Sequence, residues 1–323
     1  MPKSFKPINQ LEKLFLKISN RKAYKKYKRE FLEYKTVKDR EATLNSFRSE
    51  YGVLNLDAII TIAKKQGSLN FSHAGNAGDI IYALPTIKEI QKHIEQPINL
   101  YLILDQPHSL ALHYTHPLGS VMLNRKMANM LVPLLSNVEY LTSSAIYEGQ
   151  RVDITLDSFR ELGLQLEKGS IVRWYSYATG VHPDLSSAWL SVRADTTYKS
   201  YIVLARSERY RNPHISYSFL KKHKNILFLG IESEYKDILQ VIPHIKWKQV
   251  EDFKEMAEII AGCKFFIGNQ SFPYSVAEAL RVPRILEVCY EAPNVIPEGE
   301  NGFDFYLQEH FEWLVTKLDG ENQ

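Results

Sequence analysis

The stretch "FSHAGNAGDIIYALPTIKEI", Phe71 to Ile90, decides the fold. Its entry, "SLNFSH", is a short apolar run, a small-residue turn follows, and beyond Asp79 the apolar residues recur at helical spacing. Strand, turn and helix in that order make half of a βαβ unit. Gly75 and Gly78 permit a tight turn and close backbone approach to a ligand. His73, Asn76 and Ala77 complete the loop. Asp79 has two readings. As a cap it satisfies an orphan amide, a contribution of about 1 kcal/mol. As a cleft residue it does chemistry, because ligands of open α/β sheets bind beyond the carboxyl ends of the strands. The first amides of the following helix would then act as anion donors.

Outward from this loop the chain alternates strands and helices. "INLYLILD", "SNVEYLTS" and "RVDITLD" read as strands. A second series follows "HPDLSSAWLSVRADTTYKS": the strand "SYIVLARS", the helix "SYSFLKKHK", the strand "NILFLG", the helices "EYKDILQVI" and "DFKEMAEIIAG", the strand "CKFFIGN", the helix "YSVAEALRV" and the strand "PRILEVC". "YLQEHFEWLVTKL" closes the chain as an amphipathic helix. Strands alternating with helices imply parallel sheets covered on both faces. The expected class is α/β, with two Rossmann-like domains facing each other across a cleft. The expected boundaries are a basic helical segment at 1–50, an N-terminal domain at 51–190, a C-terminal domain at 191–304 and a last helix at 305–323.

The composition, 45% hydrophobic and 24% charged over 323 residues, is that of a globular chain with sizeable cores, and the length favours two domains. Cys263 and Cys289 are the two cysteines. Both stand in apolar context, which argues for a reducing compartment and no disulfide framework, with Cys263 as core and not a nucleophile. With no apolar run long enough to span a bilayer and no signal-peptide pattern, the chain reads as cytoplasmic. The formal net charge of +3 is uneven: residues 1–50 carry 14 Lys and Arg against 6 Asp and Glu, the rest 26 against 31. The basic segment "LEKLFLKISNRKAYKKYKREFLEYK" has three readings: a helix packed on the body, a helix on an anionic membrane surface at the inner face, or a nucleic-acid binder. No nucleic-acid module accompanies it, so nucleic acid is not an expected partner.

Two further loops carry chemistry. In "ARSERYRNP", Arg206, Arg209 and Arg211 leave a strand end together, and guanidinium groups suit phosphate oxygens because they stay charged and bind in a fork. The bland alternative is a solvated basic loop. In "IGNQSFPYSVAEALRVP", Asn269, Gln270 and Ser271 offer neutral hydrogen-bonding groups before a helix start. Glu278 lies one position past two helical turns from Ser271; it either accepts the hydroxyls of a ribose or is a surface glutamate. His108, His113 and His116 stand close together with no partner at metal-site spacing, so they are candidates for an acceptor surface and no metal is expected. There is no G-x-G-x-x-G, P-loop, D-x-D, G-x-S-x-G, kinase or zinc-protease motif.

"GNAGDIIYALPTIKEI" resembles the "GDhhhxxPxhxxh" segment opening the ADP-heptose transferases and their relatives, glycosyltransferase family 9. "ILFLGIESEYKDIL" and "DFKEMAEIIAGCKFFIGNQSFPYSVAEALRVPRILEV" are similar to that family's second-domain blocks, which end in "hhGNDSGxxHhAxAhGxPhh". The resemblance covers about residues 70–95 and 200–290. It implies a GT-B fold, a nucleotide-sugar donor bound by the second domain, a glycan or lipid-linked acceptor bound by the first, Asp79 as general base, and no metal or other cofactor. The sequence departs from the pattern at Gln270, where the family has Asp, at Phe272 for Gly, at Ser275 for His, and at Glu278 for a small residue. "EALRVP" with "PEGENGF" is similar instead to other GT-B transferases, in which such a Glu binds the ribose. Alternatives from other classes are a nucleotide-sugar epimerase or hydrolase of the same fold, and a non-catalytic glycan- or nucleotide-binding protein.

Overall fold

Asparagine caps open the first helices. Asn9 and Glu12 exchange side-chain and backbone hydrogen bonds, each 2.9 Å, to start α1 (Gln10–Ser19). Asn20 ends α1, accepts the amide of Ala23 and so begins α2 (Arg21–Tyr51). Gly52, at φ 72°, ends α2 in a conformation that disfavours a side chain. Asn55 caps α3 (Leu56–Gln66). The computed structural model describes residues 5–107 and 119–321. The chain divides into two compact units, Met1–Val53 with Arg160–Leu164, and Leu54–Phe159 with Gln165–Gln323. In the first, Phe5, Tyr27, Phe31 and Tyr34 make an aromatic cluster with centroids 5.3–6.2 Å apart.

The second unit holds two parallel sheets. The first half runs α3, β1 (Leu69–His73), α4 (Ala77–Gln91), β2 (Ile98–Leu102), α5 (Arg125–Leu135), β3 (Ser143–Ile146), β4 (Ile154–Thr155) and α6 (Ile171–Thr179). Its sheet, among the described residues, has the order β3-β2-β1-β4. The second half runs β5 (Ile202–Ala205), β6 (Ile226–Phe228), α7 (Glu232–Val241), β7 (Lys246–Trp247), α8 (Phe253–Gly262), β8 (Phe265–Asn269), α9 (Phe272–Leu280), β9 (Arg284–Glu287), β10 (Gly302–Phe305) and α10 (Gln308–Glu321). Its strand order is β10-β9-β8-β5-β6-β7, again parallel throughout. Strands β1, β5, β8 and β9 are buried at every residue, as expected where helices cover both faces of a sheet. On one face of the second sheet, Ile202, Leu204, Phe228, Phe265 and Ile267 meet Phe311 and Val315 of α10.

Several local expectations shift. The strand expected in "SNVEYLTS" lies later, at Ser143–Ile146, because α5 runs to Leu135 and successive turns carry the chain through Asn137 and Leu141. "SYSFLKKHK" supports only a 3₁₀ turn at Ser218–Lys222. Helices α5 and α6 and strand β10 stand where the pattern predicted no element.

Candidate functional site

Both sheets reverse strand order at one place, and the candidate loops lie there. Strand β1 has β2 on one side and β4 on the other, so the first sheet's switch point faces the loop after His73. Strand β5 has β6 on one side and β8 on the other, so the second sheet's switch point faces the loops after Ala205 and Asn269. Crevices at such points are where open α/β sheets take ligands. Within each pair the neighbouring loops are tied together: the Ala74 amide donates to Asp157 across β1 and β4, 3.1 Å, and the Ser207 amide donates to Asn269 across β5 and β8, 2.9 Å.

The start of α4 is braced from behind. His73 is fully buried; its Nδ1 accepts the Gly75 amide at 2.9 Å and its Nε2 lies 2.9 Å from the Tyr175 hydroxyl. An acceptor Nδ1 assigns the neutral tautomer with hydrogen on Nε2. The Tyr175 hydroxyl donates to the Asp79 carbonyl at 2.6 Å. His73 is therefore a brace for the loop and points into the core. Asp79 itself is half-buried, and its carboxylate accepts the Asn76 amide at 3.2 Å. The cap expected of Asp79 is thus present. One amide takes only part of the acceptor capacity of a carboxylate, so capping does not exclude proton transfer. Gly78 lies inside α4 in ordinary helical backbone, so it makes no tight turn. A Cβ there would stand 3.7 Å from Ser275 Oγ and 3.9 Å from Phe272 Cα, which brings the start of α4 against the start of α9.

The three arginines after β5 part company. Arg206 turns back onto Glu287 at the end of β9, Nε and Nη2 at 2.7 and 2.8 Å from its two carboxylate oxygens. Burial works against its charge, but the bond to Glu287 and the facing Tyr217 outweigh that and raise its pKa. Arg211 donates to the Ser207 carbonyl and pairs with Asp237 at 3.0 Å. Arg209, among the described residues, has no carboxylate partner. It is half-buried, its Nε is buried without a hydrogen-bond partner, and its guanidinium lies 5.3 Å from the Tyr210 ring centroid. Tyr210 holds φ 60°, a left-handed conformation costing roughly 1–2 kcal/mol outside glycine. Burial raises its hydroxyl pKa, Arg209 opposes this, and Asp79 adds to the rise. Asp79 is thus near enough to Tyr210 to act on its hydroxyl.

In the "GNQS" loop most groups face inward. The Asn269 amide group donates to the carbonyls of Ser207 and Arg209, 3.0 and 2.7 Å, and so shapes the arginine loop. Gln270 donates to the Ala292 carbonyl and to Asn294 Oδ1, and accepts the Cys289 amide, fastening the segment after β9. Ser271 precedes α9 and donates to the Asn269 carbonyl, 3.2 Å. Among the described residues no side chain caps α9, which leaves its first amides as anion donors, Pro273 contributing none. Glu278 is neither a ribose-facing nor a surface residue in this geometry. It is 1% exposed, and its carboxylate holds Arg281, Arg284 and the Glu298 amide. Arg281 also reaches the carbonyls of Leu185 and Glu298.

His108, His113 and His116 lie outside the described residues. Among the described residues no three of His, Cys, Asp and Glu group as metal ligands would. Cys263 is half-buried and Cys289 buried; burial pushes the Cys263 thiol up to about 12, which keeps it a poor nucleophile. Sequence reasoning missed Glu287, Tyr175 and Tyr210. A lone carboxylate inside the apolar "PRILEVC" was the available signal for Glu287.

No family model matches this sequence, and no curated protein matches it. Among solved structures, the chain is similar to the ADP-heptose LPS heptosyltransferase II of E. coli, with a TM-score of 0.55 and 14% identity over 79% of this chain and 99% of that one. It is similar also to a family 9 glycosyltransferase of Veillonella parvula, with a TM-score of 0.50 and 10% identity over 77% of this chain and 89% of that one. The class so defined is GT-B, two Rossmann-like domains with parallel sheets. This chain shares that fold with the ADP-heptose and family 9 transferases.

Proposed function

We propose that the protein is a glycosyltransferase that moves a sugar from a nucleotide donor to a hydroxyl of a surface glycan or glycolipid. The observation that carries this reading is the meeting of the two switch-point loop sets, with Gly78 at the start of α4 beside Ser275 and Phe272 at the start of α9; the influence of Asp79 on the Tyr210 hydroxyl agrees with it. The similar structures, a heptosyltransferase and a family 9 glycosyltransferase, agree with it. In the proposed reaction the Asp79 carboxylate takes the proton of the acceptor hydroxyl as its oxygen attacks the anomeric carbon. The bond from that carbon to the diphosphate breaks, and attack from the opposite face inverts the configuration. Arg209 and the first amides of α9 balance the charge growing on the departing diphosphate. Arg206 and Asn269 hold the loop that carries Arg209. No metal and no cofactor beyond the donor is invoked. The proposed setting is the cytoplasmic side of a membrane carrying a lipid-linked acceptor; among the described residues no helix is long and apolar enough to cross one.

A second reading, a GT-B protein that binds without turnover, is favoured by one observation: Asn269, Gln270 and Glu278 are all spent on partners within the protein. Product analysis with CMP-, UDP-, GDP-, ADP- and dTDP-sugars, with and without glycan acceptors, separates the readings. Acceptor-dependent transfer supports the transferase. Free sugar or an isomer formed without acceptor replaces it with a hydrolase or epimerase. Nucleotide binding with no product in any mixture leaves the binding protein.

A further inference from the structure

Two helix carbonyls of the second unit face a proline at the place of their usual donor, and one residue serves both. In α4 the Ile81 carbonyl would receive the amide of residue 85, but Pro85 has none. The Trp189 indole Nε1 donates there instead, at 3.1 Å. In α9 the Ala279 carbonyl stands in the last turn, and the residue four further on is Pro283. The backbone amides of Trp189 and Leu190 donate to it, at 3.0 and 3.2 Å. Ile81 and Ala279 are fully buried and Trp189 is 2% exposed, so none of these groups can turn to water, and leaving one unpaired is costly.

Trp189 lies in the segment that joins α6 of the first half to β5 of the second, and both halves hold it. The Tyr140 hydroxyl donates to its carbonyl, and the Arg281 guanidinium, just past α9, lies 4.5 Å from its ring centroid. Lys88, two turns beyond Ile81 on α4, donates to the Ala188 carbonyl at 2.6 Å, so the joining segment follows α4. Ile81 is three residues from Gly78 and Ala279 four from Ser275. The clamp therefore sits about one helical turn behind the place where the starts of α4 and α9 meet. Within one helix a displacement of Ile81 carries Asp79 with it. We propose that Trp189 is a positioning residue: it fixes the register of α4 on α9, and so the place of Asp79 relative to the first amides of α9. The register stands on the geometry alone; its consequence for Asp79 rests on the transferase reading.

A double-mutant cycle in urea unfolding tests the register. Trp189→Phe strands the Ile81 carbonyl and lowers the folding equilibrium constant about tenfold or more. Pro85→Ala gives α4 its own amide for that carbonyl, so in that background Trp189→Phe costs at least about threefold less; the lost ring volume is common to both backgrounds and cancels. Equal costs in the two backgrounds overturn the proposal. Exchange of the Trp189 indole proton in the unaltered protein, followed by NMR, is as slow as that of the α4 amides; exchange at the rate of an exposed indole overturns the clamp even if the variant fails to fold. Transfer assays test the consequence. Trp189→Phe lowers kcat about tenfold or more through misplacement of Asp79. Affinity for the nucleoside diphosphate of the active donor stays within about threefold, because Arg209 and the α9 amides belong to the second half alone. Pro85→Ala restores stability but no tie to the joining segment, so the double variant stays slow. Recovery of kcat along with stability would reduce Trp189 to a core residue and overturn its positioning role. Absence of transfer in the unaltered protein removes the transferase reading and with it the consequence for Asp79, while the unfolding cycle still decides the register.

Discussion

Arg206 and Glu287, 81 residues apart, form a forked ion pair across the ends of β5 and β9, at 2.7 and 2.8 Å. Glu287 is fully buried and also receives the Tyr217 hydroxyl at 2.7 Å and the Asn212 amide at 2.6 Å. Removing one partner of such a pair strands a charge in the core. Arg206→Ala should lower stability by about 3–5 kcal/mol in urea unfolding. Arg206→Lys, which keeps the charge but loses the fork, should recover part of that loss.

Arg209 is expected to behave in the opposite way. With no carboxylate partner among the described residues it contributes little to folding, so Arg209→Ala should change stability by less than about 0.5 kcal/mol. Nucleoside diphosphate affinity, read by calorimetry, should fall by roughly tenfold or more, the loss of one charge-assisted hydrogen bond. Unchanged affinity would remove Arg209 from the donor site.

Asp79→Asn separates the cap from the chemistry. The amide oxygen of Asn can still accept the Asn76 amide, so stability should change by less than about 1 kcal/mol. Transfer should drop by about 10²–10⁴-fold, the usual contribution of a positioned base. Turnover within a few-fold of the parent protein would leave Asp79 as a cap only.

Asp184, in the segment between the two sheets, accepts both the amide and the hydroxyl of Ser186, at 2.8 and 2.6 Å. These bonds, with one from Ser187, hold its pKa at about 2 against an ordinary 3.8. The folded state binds this proton less readily than the unfolded chain does. The resulting stabilisation is therefore complete above the ordinary value and is lost as pH falls through about 2. Ser186→Ala should move the Asp184 titration, followed by carboxyl carbon NMR, upward towards 3.8.

The parts legible in sequence were those written locally. The β1–α4 unit was readable because the change from apolar strand to helical spacing occurs within a few residues of Gly75. Helix α5 was missed because Pro133 reads as a breaker, yet it sits inside the last turn. Helix α6, "IVRWYSYAT", is built of β-branched and aromatic residues that suit strands, and burial of Trp174 and Tyr175 overrides that preference. Among site residues, the loops were found by their place after strands, but their inward bonds were not. Nothing near Arg206 in sequence announces Glu287. Glu278 has Arg281 one turn on, and only the fold adds the Arg284 contact that takes it fully into the core.

The turn carrying Arg209 is held by Asn269 at the carbonyls of Ser207 and Arg209, and by Glu287 at the Asn212 amide. Its backbone is thus ordered during folding, before any ligand arrives. An anion meeting Arg209 would have to still only one side chain and not a loop, which keeps the entropic penalty of association small. Preorganisation of this kind would show itself as fast capture with little induced rearrangement, and as a binding entropy almost unaffected by loosening residues elsewhere in the chain.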